Sequence, residues 1–121
     1  MRLVVGVNIE LQNELKKLKI NVEKGMENHG EGYEEKLRQF IMGYDFMRLG
    51  QTVNHSRWES AMMSIRRMSM QAESLGLECF QRQFTGLRQN VARKDIQETK
   101  NILSLVIIKR IQIQDVLKRF S

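Results

Sequence analysis

The chain contains no proline in 121 residues. Proline locks φ and removes a backbone donor, so it is the commonest breaker of a helix. Without it the chain can carry long helices, and its apolar residues do recur at helical spacing. Leu11, Leu15 and Leu18 mark a short first helix. Asn21 suits the N-cap of a second helical turn holding Val22 and Met26, and His29-Gly30-Glu31-Gly32 then breaks the pattern. From Tyr33 on, Leu37, Phe40, Ile41, Tyr44, Met47 and Leu49 predict one long helix with a broad apolar stripe. A weak stop covers residues 50–54. Ser56 reads as the N-cap of the next helix, with Glu59 as its reciprocal partner in a capping box. That helix carries Ala61, Ile65, Met68, Ala72 and Leu75 on one face, and Gly76 ends it.

Phe80, Phe84, Leu87 and Val91 line the next helix, and Arg93 and Lys94 near its end suit the helix dipole. Asp95 starts the last element. This stretch is rich in β-branched residues, and Ile111-Gln112-Ile113-Gln114 alternates as a strand would. A lone strand has no partner here, so the stretch reads as a buried helix. Four long amphipathic helices joined by short turns predict an all-α fold. The expected form is an antiparallel up-and-down four-helix bundle with a short N-terminal helix across one end, one domain over residues 1–121.

Hydrophobic residues make up 41% and charged residues 28%, the balance of a soluble globular chain rather than a disordered one. No apolar run approaches the ~20 residues a membrane span requires. The opening run with Leu3, Val4 and Val5 lacks the basic head and long apolar stretch of a signal peptide. A single cysteine, Cys79, cannot form an internal disulfide and reads as a small, partly buried hydrophobe. These features together lead to the expectation of a cytoplasmic protein.

Charge is uneven along the chain. Residues 1–60 carry nine Lys/Arg against nine Asp/Glu, whereas residues 61–121 carry eleven against five. The whole excess of +6 therefore sits in the second half, which favours acidic partners. Chemistry-bearing motifs are absent. The two histidines, His29 and His55, are not at metal spacing; no Cys-x-x-Cys or glycine-rich phosphate loop occurs. No Ser/His/Asp set can be justified from sequence. Glu34 and Glu35 are adjacent carboxylates, but they read as solvated first-turn residues. The expectation is a protein that is not an enzyme and holds no metal or cofactor.

Several of these segments, taken in order, resemble a known family. The stretch from Leu15 to Met26, with its Ile20-Asn21-Val22 turn and its Gly25-Met26 pair, resembles the opening of bacterial histidine phosphotransfer (HPt) domains. Tyr33-x-x-x-Leu37-x-x-Phe40 is similar to their next helix. Trp58 stands where the family opens its central helix and Leu75-Gly76 where it closes it. The resemblance covers roughly residues 11–110 and rests on the ordered set of segments.

The resemblance places Arg66 where the family has its phosphorylated histidine, Ser69 where it has a lysine, and Met70 where it has a glycine. A guanidinium is a poor nucleophile and stays protonated, so it cannot carry a transferable phosphoryl group. Serine cannot neutralise a phosphate, and methionine fills the space that glycine leaves. The resemblance thus implies a signalling module of two-component phosphorelay type that does not pass phosphate. Met62, Arg66, Arg67, Ser69, Met70 and Glu73, outward on the central helix, form the expected partner surface. The expected partner is a receiver domain of a response regulator, or a histidine kinase. Two alternatives stand beside it. A pI of about 9.8 and arginines at 66, 67, 82, 88 and 93 motivate nucleic-acid binding, although these residues are scattered and fit no such motif. Alternatively, the apolar last helix could pair with a second copy of the chain.

Overall fold

The computed structural model describes residues 9–120, and these are all-helical, with no strand. The opening run with Leu3, Val4 and Val5 lies outside the described residues. Seven α-helices follow one another among them. They are α1 (Ile9–Lys17), α2 (Val22–His29), α3 (Tyr33–Met42), α4 (Asp45–Asn54), α5 (Trp58–Ser74), α6 (Gln81–Ala92) and α7 (Ile96–Arg119). Single 3-10 turns precede α3 and α6. No helix among the described residues is long and apolar enough to cross a membrane.

Helix α5 packs against α4 and α6, and α7 packs against α6 and α4. A single cluster of buried side chains lies between them, supplied by every helix from α1 to α7. At its centre Phe40, Phe46, Phe80 and Phe84 form a row of rings with successive centroids 5.3, 6.0 and 5.7 Å apart. Such tilted and edge-on pairs add ~0.5–1.5 kcal/mol each beyond the area they bury.

The predicted long helix from Tyr33 is two helices. Gly43 leaves α3 with an extended ψ of 176°, and a Cβ there would stand 2.6 Å from the Gln39 carbonyl oxygen. Arg110 of α7 holds the break. Its Nε donates to Ile41 O (2.7 Å) and its Nη2 to Gly43 O (3.0 Å), and the guanidinium lies 4.8 Å from the Phe46 ring centroid. These bonds satisfy carbonyls that the end of a helix otherwise leaves without partners. The change of direction sends Phe46 into the core and turns Tyr44 (71% exposed) and Met47 outward, against the continuous stripe expected. The weak stop expected over residues 50–54 does not occur either: α4 continues through Gly50, and Val53 is fully buried.

Ser56 does not cap α5. The N-cap is Arg57, which makes no side-chain capping bond, and Ser56 has a φ of +55°. Ser56 N donates to Val53 O and Arg57 N to Thr52 O, so Ser56 closes α4 in a Schellman motif. The turn between the helices is too short to serve both ends, and the end of α4 takes it. Lys19, Gly76 and Lys94 close α1, α5 and α6 by the same bonding pattern, with φ of 62°, 75° and 57°. Gly76 was legible as a stop; the two lysines and the serine were not.

The last element is helical throughout, and its alternating Ile111–Gln114 stretch lies in mid-helix. Asp95 caps it, its carboxylate accepting from Glu98 N at 3.1 Å. Thr99, Leu103, Val106, Ile113, Val116 and Leu117 are buried, whereas Leu105, Ile108 and Ile111 face outward. Arg38 of α3 ties down its far end by donating to Leu117 O (3.0 Å) and Phe120 O (3.3 Å).

Candidate functional site

Helix α5 buries Ala61, Ile65, Met68 and Ala72, four positions on one stripe at helical period. The opposite stripe is therefore open to solvent. Met63 is 70% exposed and Met70 is 73% exposed, and Arg66 and Arg67 lie between them. Spacings of three, four and seven residues put all four on one face. An exposed pair of flexible thioether side chains flanking two guanidiniums can adapt its shape to a partner while offering charge.

The six residues expected to form the partner surface divide into two groups. Arg66, Arg67, Met70 and Glu73 are exposed on the outward side. Met62 and Ser69 are half-buried on the side toward α6. Met62 leans on the core, and Ser69 Oγ accepts from Arg88 Nη1 of α6 at 3.1 Å. Met63, which sequence reasoning left out, takes the central place. The signal for it was present, since residue 63 lies opposite the buried 61/65/68/72 stripe.

The charges on this face are not equivalent. Arg67 Nη2 lies 3.3 Å from Asp45 Oδ1 at the start of α4, and Glu73 Oε1 lies 3.9 Å from Lys24 Nζ of α2. The Arg66 side chain makes no hydrogen bond or ion pair among the described residues, so its guanidinium is uncommitted. No family model, no curated protein and no solved structure matches the chain. What the face can do therefore rests on its own chemistry.

Neither histidine is on the α5 face. His29 Nε2 lies 3.0 Å from Ser74 Oγ and links the end of α2 to the end of α5, while His55 is the exposed C-cap of α4. Cys79 is half-buried, and burial pushes its thiol up to about 11. At neutral pH it stays in the thiol form, a poor nucleophile and a poor metal ligand. Glu34 pairs with Arg38 and Glu35 accepts from Gln39, each one turn along α3. Among the described residues no three His, Cys, Asp or Glu side chains converge as a metal site would require.

Proposed function

We propose that the chain is a docking module of HPt type that binds the receiver domain of a response regulator and passes no phosphate. In this reading α4, α5, α6 and α7 form an antiparallel up-and-down four-helix bundle, with α3 running into α4 and α1 lying across one end. The packing of α5 on α4 and α6, and of α7 on α6 and α4, supports that arrangement, as do the short turns between successive helices. The observation that carries the reading is Arg66. It stands where the resemblance expects the phosphorylated histidine, faces solvent, and has no partner among the described residues. A receiver domain presents acidic residues around its phosphorylated aspartate. A permanent cation between Met63 and Met70 suits such a pocket, because the methionines supply apolar contact area and the guanidinium supplies charge-assisted hydrogen bonds.

Calorimetric titration of purified receiver domains from the same organism tests this, with the Arg66→Glu variant run in parallel. Saturable binding by one receiver, weakened about tenfold or more by the charge reversal, is the expected result. Arg66 is exposed and unpaired, so the variant folds as the parent does and a loss of affinity is a loss of contact. Absence of binding across the whole set would sink the reading. The exposed Leu105, Ile108 and Ile111 face of α7, and with it self-association, would then be the surface to pursue.

A further inference from the structure

A second cationic feature lies beside the docking face, in the cleft that runs along α4 and the first ten residues of α5. The cleft has a volume of about 620 Å³. Arg48, Thr52 and His55 line one side, and Arg57, Ser64 and Arg67 line the other. Three guanidiniums thus face one space, and no carboxylate lines it. Only Arg67 is paired, through one nitrogen, to Asp45 at 3.3 Å. The guanidiniums of Arg48 and Arg57 make no hydrogen bond or ion pair among the described residues. Thr52 has committed its hydroxyl proton to Leu49 O at 2.8 Å, which leaves Ser64 as the hydroxyl donor toward the cleft.

Two of the three cations, Arg48 and Arg57, thus stand without a counter-charge; like charges held together destabilise a fold by self-repulsion, and an anion removes that repulsion. Guanidinium groups bind phosphoryl oxygens through paired, charge-assisted hydrogen bonds. The extent of the cleft selects among anions. Arg48 and His55 are seven residues apart on one helix and Arg57 and Arg67 ten, which at ~1.5 Å per residue is roughly 10 and 15 Å. A single phosphate reaches one or two of these groups, whereas a chain of two or three phosphoryl groups spans them. We infer that the α4/α5 cleft binds a small oligophosphate, either inorganic or as the tail of a nucleotide. The inference does not rest on receiver docking. Arg67 borders both surfaces, but Arg48 and Arg57 belong to the cleft alone.

The test is titration of the whole chain with inorganic tripolyphosphate and, separately, with adenosine triphosphate. Calorimetry and the fluorescence of Trp58, the chain's one tryptophan and the neighbour of Arg57, serve as readouts. Saturable binding at one site is expected, reduced about tenfold by Arg48→Gln and by Arg57→Gln and unchanged by Arg82→Gln on α6. Equal affinity for the two probes would mean that the phosphate chain alone is recognised. Tighter binding of adenosine triphosphate would mean that the cleft takes a nucleotide. No saturable binding of either probe would overturn the inference. So would a single-stranded oligonucleotide displacing both probes while Arg82→Gln weakens binding as much as Arg57→Gln does, because that pattern belongs to a diffuse nucleic-acid surface.

Discussion

The two ends of α5 differ in what their polar groups do. At the C-terminal end the backbone carbonyls are taken up by the N-terminal segment of the chain. Gly76 O accepts from Asn21 N (2.7 Å), Leu75 O from the Tyr33 hydroxyl (3.0 Å), and Ser74 O from Asn28 Nδ2 (2.8 Å). Gly25 packs so closely that a Cβ on it would overlap the Tyr33 ring. At the N-terminal end Arg57 caps without a side-chain bond, and its guanidinium, like that of Arg48 on α4 and that of Arg66 nine residues further along α5, holds no partner among the described residues. An end whose donors and acceptors are matched within the fold serves stability. One whose donors stay unmatched and exposed is available to something outside it.

Substitutions at the matched end should therefore cost the most. Gly76 has a φ of +75°, and a Cβ there would overlap the Asn21 carbonyl. Gly76→Ala must pay the left-handed penalty of ~1–2 kcal/mol and also push away the strand of backbone that donates to Gly76 O. Adding the loss of that bond gives a destabilisation of roughly 3–5 kcal/mol, read as a lower urea midpoint. Tyr33→Phe is milder. Tyr33 is fully buried, and its hydroxyl pKa is raised by burial, so the neutral donor form persists across the physiological range. Removing the hydroxyl leaves the Leu75 carbonyl without that donor, a loss of ~1–3 kcal/mol measurable in the same urea titration. Full stability in either variant would show that the C-terminal end of α5 is not where the N-terminal helices are anchored.

Much of this contrast was legible in the sequence, and the remainder had physical reasons to be hidden. The Asn21 and Asp95 caps, the Gly76 stop and the buried 61/65/68/72 face are local signals, readable within a few residues. The break between α3 and α4 is not local. Apolar residues continue across it at roughly helical spacing, and the group that stabilises it, Arg110, comes from a helix 67 to 69 residues further along. The basic cleft is hidden for a similar reason. Arg48 and Arg57 are unremarkable in a half of the chain with balanced charge, and only the fold of α4 against α5 brings them to the same space as Arg67. On the outward side of α5, Met63 stands opposite the buried 61/65/68/72 stripe and is exposed, whereas its neighbour Met62 is half-buried.

The smallest effect is expected at the open end, and it has the opposite sign. Ser56 is exposed and sits at φ +55° with no side-chain hydrogen bond among the described residues. A serine there carries the left-handed cost of ~1–2 kcal/mol, which glycine avoids. Against this, glycine adds ~0.4–1 kcal/mol of unfolded-chain freedom. Ser56→Gly is therefore expected to stabilise the protein by about 0.5–1 kcal/mol, seen as a higher urea midpoint at unchanged slope. The Schellman bonds from Ser56 N and Arg57 N are backbone bonds and survive the change, so the turn keeps its shape and the arginines keep their places. A loss of stability instead would mean that the hydroxyl does hold the start of α5, as the capping-box reading of Ser56 and Glu59 had it. The two ends of α5 would then differ less than their hydrogen bonds indicate, and the N-terminal end would owe its conformation to its own side chains rather than to the closing turn of α4.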